Sequence, residues 1–262
     1  MTTQFRLPDD LKNTLAKDQW WLLNTGQKVR NYRKVNDKEV ENSPGIDLNV
    51  LPLWPFYTGK GITVGVVDDG IDLQNKDLPA TGAAPKGPGD NHGTNVAGII
   101  GALRNNLGTV GIAYEATISS YNKDRDSSLE EQEKLDVSNN SWGGSKHFQQ
   151  ENIPGVISSA TKGRNGLGTV FVWSGGNERT DINEDENLQG AAKRGRNVNS
   201  GNYESNRYVI AVAALDNKGV VTSYSNPGAP LLVSAFGSEF PQSIATVDRS
   251  ENEGNNTDKN KR

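Results

Sequence analysis

The sequence predicts an α/β fold, a three-layer, doubly wound and mostly parallel sheet. GITVGVVDDG (61–70) is a β-branched run that does not alternate with polar residues, as a strand buried on both faces requires. LDVSNNSWGG (135–144), GTVFVWSGGN (168–177) and NRYVIAVAALD (206–216) repeat the pattern, each an aliphatic run ending in Gly, Asn or Asp. Helical spacers such as IPGVISSATKG (153–163) separate some of them. Repeated strand–helix–strand units imply parallel pairing, with functional sites off the carboxyl ends of the strands.

Taken in order, residues 1–57 read as an irregular covering arm, rich in Pro and Gly and packed by Trp20, Trp21 and Trp54. The run at 61–70 ends in Asp68. HGTNVAGIIGAL (92–103) carries Val96, Ile99, Ile100 and Leu103 at helical spacing, so His92 opens a helix packed on the core. ATISSYN (116–122) reads as a further strand. Regular order is expected to dissolve after LLVSAFGSEF (231–240), and the polar, charged stretch 249–262 reads as a mobile loop or loose end. The 262 residues are read as one domain.

Composition excludes several function classes. With 28 Lys+Arg against 32 Asp+Glu the net charge is -4, and no basic stripe is interleaved with aromatics, so nucleic acid is not an expected partner. No apolar run reaches the roughly 20 residues of a membrane span, and MTTQFRLPDDLK has no apolar centre like that of a secretory signal. Without cysteine there is no disulfide framework, thiolate nucleophile or Cys-ligated zinc, and the cellular compartment stays open. The Gly pairs in GKG and GLG are not placed as in a dinucleotide fingerprint.

Two ionisable groups stand in succession at a strand end and a helix start, Asp68 and His92. An Asp that fixes the tautomer of a His, leaving the other ring nitrogen as a base, is two thirds of a nucleophilic triad. For an arbitrary pair the plainer reading is a turn cap and a helix-start hydrogen-bonder. His147, in the polar stretch SKHFQQEN, has no acid partner at a meaningful spacing and reads as solvent-facing.

VVDDGID (66–72), NHGTNVAGIIGA (91–102), NNSWGG (139–144) and SGGN (174–177) together resemble the successive signatures of the subtilisin-like serine proteases. QWWLLNTGQ (19–27), the paired Asp68–Asp69 and NYESNRYVIAVAA (202–214) are similar to the kexin and proprotein-convertase branch. The resemblance runs from about Gln19 to the end of the chain. It implies that Asp68 orients the imidazole, that His92 is the general base, and that Asn177 donates to the oxyanion. It implies that Ser141, Trp142 and Gly143 pair with an extended peptide or protein substrate and wall its specificity pocket. Asp69 and Asp90 would place negative charge beside the cleft. The acidic positions that the branch carries just after its Trp-Gly are here Gly144, Ser145 and Lys146, which argues against strict cleavage after Lys or Arg.

The resemblance also implies a structural calcium site. Asp77 would give a carboxylate, Asn106 its side-chain oxygen and Leu103 its carbonyl, with an N-terminal ligand near Asn13. DINEDENLQG (181–190) is superficially like an EF-hand, but Glu186 stands where the sixth-position glycine is needed, so it reads as a loop or a weak second calcium site. The family is extracytoplasmic or secreted, which sets that expectation here.

The family's nucleophile is the serine of a Gly-Thr-Ser segment opening a long helix, and no such segment follows Asn177. The reading is therefore a serine endopeptidase domain incomplete at its C-terminus, with a missing C-terminal segment as a partner and no activity alone. The alternative is a non-catalytic peptide-binding module that uses the Ser141–Gly143 segment. A nucleotide-binding or redox protein on the same sheet has only fold analogy behind it.

Overall fold

Thr63–Asp68 forms β1, and five of its six residues are buried, because a strand in the middle of a parallel sheet has both faces covered. The computed structural model describes residues 7–28, 42–124, 129–143, 153–179, 196–239, 242–250 and 254. Around β1 lie β2 (Ala80–Gly82), β3 (Thr117–Asn122), β4 (Val137–Asn140), β5 (Val170–Ser174), β6 (Val209–Leu215) and β7 (Leu231–Phe236). Among the described residues these seven strands join in the order β2-β3-β1-β4-β5-β6-β7, every neighbouring pair parallel. Strand order reverses at β1, with β3 on one side and β4 on the other. In open sheets of this kind that reversal is where a crevice opens.

Two helices cover opposite faces. Helix α1 (His92–Gly101) packs Val96, Ala97 and Ile100 on Val64, Val66 and Ile118. Helix α2 (Ile153–Gly166) packs Val156 and Ala160 on Val67, Phe171, Trp173 and Val209. The side chains of β1 thus alternate between the two layers, as the two-residue period of a strand demands. The aliphatic runs at 61–70, 116–122, 135–144, 168–177 and 206–216 are all strands, and the helices at 92 and 153 stand where helical spacing put them. Among the described residues no helix is long and apolar enough to cross a membrane.

The N-terminal arm has only short 3-10 turns, at Ala16–Asp18 and Leu51–Leu53, yet it is bound tightly. Trp20, Trp21 and Trp54 are 0%, 2% and 5% exposed. Their indole N–H groups donate to the carbonyls of Ser243, Ala245 and Ile112, as buried indoles must find acceptors. Gln19 exchanges two hydrogen bonds with the backbone of Val110.

Among the described residues regular secondary structure ends with β7, as the sequence suggested, yet the chain beyond it stays packed. Residues 242–250 lie against α1: the Asn95 amide donates to Val247 O, the Thr246 hydroxyl donates to Asn95 O, and Arg249 donates to Gly87 O. Gly98 makes this possible, since a Cβ there would sit 2.7 Å from Val247 Cβ. Beyond 250 only Gly254 is described, so the expectation for the tail lies largely outside the described residues.

Because Trp20 meets Phe236 edge-on at 5.0 Å and holds Ser243, the arm and the C-terminal segment should unfold with the sheet. Trp20→Ala is expected to cost about 3–5 kcal/mol, read as a drop in the urea midpoint. A loss below about 1 kcal/mol would show that the arm is not part of the cooperative unit.

Candidate active site

Asp68 closes β1, and its side chain is 2% exposed. Both of its oxygens meet Nδ1 of His92, Oδ1 at 3.0 Å and Oδ2 at 2.9 Å, and Oδ1 also accepts the Asp69 N–H at 2.8 Å. A buried carboxylate needs such donors, since an unpaired one would be driven to neutralise. With Nδ1 committed to the carboxylate, Nε2 is left as the proton acceptor. The hydrogen bond to Asp68 is the largest influence on the imidazole and raises its pKa; burial opposes the rise, the charges of Asp68 and Asp69 add to it, and Lys123 opposes it. The ring is otherwise 56% exposed, open to an incoming group.

Close approach of helix to strand end makes the pair possible. A Cβ on Gly93 would stand 2.3 Å from Gly70 O and 3.1 Å from Asp68 Cβ, so no larger residue fits between them. Ala97, one turn on, is fully buried on the sheet. Thr94 accepts the Asp72 N–H at 3.0 Å, a further tie between the loop after β1 and the first turn of α1.

Asn177 follows β5, at the same carboxyl edge of the sheet as Asp68, since the strands are parallel. It is exposed, and its backbone is fixed by Glu178, which accepts its N–H at 3.0 Å. Glu178 and Asn226 are doubly bonded, Glu178 N donating to Asn226 Oδ1 at 2.9 Å and Asn226 Nδ2 to Glu178 Oε2 at 2.8 Å. Gly176 makes the tight turn at φ +88°, where Asn226 fills the space a Cβ would need.

Ser141, Trp142 and Gly143 continue from β4 at the same edge. The Trp142 ring packs edge-on to Trp173 at 4.7 Å and to Tyr203 at 5.5 Å, and Trp173 stacks on Tyr203 at 4.3 Å. The Trp142 carbonyl accepts the Trp173 indole N–H at 2.6 Å, while Ser141 Oγ accepts from Asn139. Motif spacing did not single out Glu204, whose Oε1 lies 3.3 Å from where a Gly143 Cβ would be. Burial raises its pKa most, backbone amides of its own residue and Tyr203 lower it, and Glu178 raises it further.

The two acids expected to charge the cleft both bond backbone amides. Asp69 accepts the backbone N–H groups of His92 at 3.1 Å and Gly93 at 2.7 Å. Asp90 accepts those of Lys86 and Gly87 at 2.9 and 2.8 Å and closes its own loop. Glu204 is the carboxylate beside the Trp142–Gly143 segment.

At the far end of α1, Asp77 and the loop 103–109 come together. Asn13 Nδ2 points at three carbonyls, Leu103 at 2.9 Å, Leu107 at 2.5 Å and Thr109 at 2.7 Å, although an amide has only two hydrogens to give. Asn13 Oδ1 and Asp77 Oδ1 are buried without partners. Burial pushes the Asp77 carboxyl up to about 6, against hydrogen bonds from Asn105 and the Thr109 amide. Asn106 is exposed in a left-handed turn at φ 71°, and it is Asn105 whose side chain bonds Asp77. Among the described residues no three His, Cys, Asp or Glu form a metal cluster, so carbonyls and amides would have to supply most ligands. Residues 144–147, including Lys146 and His147, and the 181–190 stretch lie outside the described residues.

The Asp68 bond raises the pKa of His92 in the folded state, so its stabilisation is full below the unfolded value of 6.5 and is lost as pH rises through the folded value. Asp68→Asn is expected to lower the His92 pKa in an NMR imidazole titration, which two histidines leave uncrowded. An unchanged pKa would show that the two side chains are not paired in solution.

Residues 59–261 match the Subtilase family. Neuroendocrine convertase 2 of Homo sapiens is 27% identical over an alignment covering 87% of this chain and 37% of its own length. A dibasic-processing endoprotease of Yarrowia lipolytica is 31% identical over 78% of this chain and 23% of its own length. The chain therefore spans well under half the length of these curated relatives. Among solved structures, the serine protease of Aeromonas sobria superposes with a TM-score of 0.74 at 27% identity, over 95% of this chain and 47% of that one. A cold adapted subtilisin-like serine proteinase shares the fold at 17% identity, with a TM-score of 0.56 over 88% of this chain and 78% of that one. With more than half its length in the matched region and the strand-end Asp and helix-start His in place, the chain belongs to the subtilase family.

Proposed function

We propose that the chain supplies the acid, the base and the oxyanion donor of a serine endopeptidase that cleaves peptide bonds through an acyl-enzyme. The observation that carries this reading is the 2.9 Å contact between Asp68 and Nδ1 of His92. A serine hydroxyl gives its proton to Nε2 of His92 as its oxygen attacks the scissile carbonyl carbon, and Asp68 stabilises the imidazolium. The carbonyl oxygen becomes an oxyanion and accepts from the Asn177 side chain. Collapse of the tetrahedral species expels the amine, which takes the proton from His92 and leaves the acyl-enzyme. Water repeats the sequence and releases the acid.

In this reading the hydroxyl belongs to a segment outside these 262 residues. The sheet supports that. Val137 packs at the margin of the α1 core, and register puts Val170, Val172, Ile210, Val212 and Val233 on the same face of the sheet beyond it. Val170 and Val233 are 44% and 53% exposed. An apolar helix laid along this row gains about 1.5–3 kcal/mol for each side chain it fully covers. Substrates are peptides or proteins, and Glu204 beside Gly143 favours a basic side chain, because a cation there offsets the burial of its carboxylate.

The oxygen-rich cluster around Asp77 fits a hard cation such as calcium. Asp77, Asn13 turned to present Oδ1, and the carbonyls of Leu103, Leu107 and Thr109 would hold it. When bound, the ion supplies positive charge to a buried carboxylate and ties the arm to the loop after α1.

Two experiments test these readings. A fluorophosphonate probe should leave the 262-residue chain unlabelled and should label a longer chain that continues into a Gly-Thr-Ser segment and apolar helix. His92→Ala should abolish that label, and an unlabelled but folded longer chain would refute the protease reading. For the cation, a carboxyl near 6 rather than 3.8 costs the folded apo protein about 3 kcal/mol once ionised. That cost builds as pH rises from about 4 to 6, where the unfolded chain has released the proton that folded Asp77 keeps. Calcium is expected to raise Tm at pH 7.5 more than at pH 5, and Asp77→Asn to remove the difference; no rise in Tm would reject the site.

A further inference from the structure

We infer that Asp69 is a positioning residue for the base, holding the backbone of His92 in place while Asp68 holds its ring. This rests on the proposed pairing of Asp68 with His92 and adds to it. The two carboxylates are consecutive in the chain, yet they grip different parts of the same residue.

Asp69 Oδ2 accepts the His92 N–H at 3.1 Å and Oδ1 accepts the Gly93 N–H at 2.7 Å. These are backbone donors in the first turn of α1, which have no carbonyl of their own helix to bond. The local capping position is Asn91, and its side chain makes no cap. Thr94, the next polar residue of that turn, accepts from the loop and so satisfies no helix amide. Asp90, the other acid before α1, is engaged with Lys86 and Gly87. The helix is therefore capped from the end of β1, by the residue that follows the orienting acid.

That arrangement matters because His92 is the first residue of α1 and is half-exposed, so little packing fixes its ring. Its position relative to Asp68 is set by the backbone beneath it, and that backbone is fastened to Asp69. Displacing a catalytic base by about 1 Å costs on the order of a hundredfold in rate. Charge acts in the same direction: Asp69 favours the imidazolium beside Asp68, against Lys123.

The test uses the 262-residue chain and NMR of the His92 ring and backbone. In the unsubstituted protein the His92 and Gly93 amides should exchange at least about tenfold more slowly than in unstructured peptide; unprotected amides would overturn the inference. Asp69→Ala should remove the downfield Nδ1 proton of His92 and bring its pKa down to the level of Asp68→Asn. Asp69→Asn, which keeps one acceptor oxygen and no charge, should retain that proton with a smaller fall in pKa. If Asp69→Ala keeps the resonance while Asp68→Asn loses it, the positioning role is refuted and the Asp68–His92 pair stands. If Asp68→Asn also keeps it, the pair itself is refuted. Should Asp69→Ala fail to fold, amide protection in the unsubstituted protein and the retained Nδ1 proton in Asp69→Asn decide.

Discussion

The contact on which the rest of the molecule depends is the seating of the first turn of α1 on the end of β1. The Asp68–His92 hydrogen bonds can form because Gly93, which has no Cβ, lets the first turn of α1 lie against Gly70 and Asp68. That docking needs a helix with small residues on one face, and α1 has Gly93, Ala97 and Gly101 buried there, while Gly98 makes room for Val247. It also needs a strand whose last side chain points toward the helix. Asp68 does, because it shares a face with Val66 and Val64, two and four residues earlier.

Parallel pairing then gathers the remaining candidates. Every strand in this sheet runs the same way, so Asp68, the Ser141–Gly143 segment and Asn177 leave it at one edge. The reversal of strand order at β1 opens that edge beside Asp68. Electrostatics follows from the same geometry. A carboxylate only 2% exposed remains compatible with folding because an imidazole and a backbone amide meet it, whereas Asp77, buried with one oxygen unpartnered, is pushed up to about 6.

What could be read from the sequence was what depends on local pattern. Strands of a parallel sheet are written as continuous aliphatic runs, so β1, β5 and β6 were visible, although only β1 of the three is buried on both faces, and small residues after His92 announced a helix lying close to the sheet. β2 was not visible, since three residues at a sheet edge carry no periodicity. Nor was the order of 242–250, which is imposed by Trp20, Trp21 and Gly98 from far away in the chain. The same limit explains the site. Asp68 and His92 stood out in the sequence at a strand end and a helix start, and the resemblance of the surrounding motifs gave that placement its meaning. Spacing alone does not say which way a neighbouring acid points, so the bonds from Asp69 to the first turn of α1 were not legible. Glu204 reaches Gly143 through a loop, and one left-handed residue, Asn106, decides that Asn105 rather than Asn106 turns toward Asp77.

Helix α1 emerges as a part held at both ends. At its start Asp68, Asp69 and the Asp72 amide bind His92, Gly93 and Thr94. At its end the chain passes directly into Leu103, whose N–H donates to Asp77 O and whose carbonyl meets Asn13. The arm closes this second anchor, since Leu15 N–H donates to Gly108 O and Gln19 binds Val110. Between the anchors, residues 245–247 lie along the exposed side of the helix. The arm and the C-terminal segment, both distant in sequence, and the loop after α1 thus fix one helix, whose first residue stands at the carboxyl edge of the sheet. A side chain carried on the first residue of a helix is held only as precisely as the helix itself, which gives the arm, the loop and the C-terminal segment a common physical purpose.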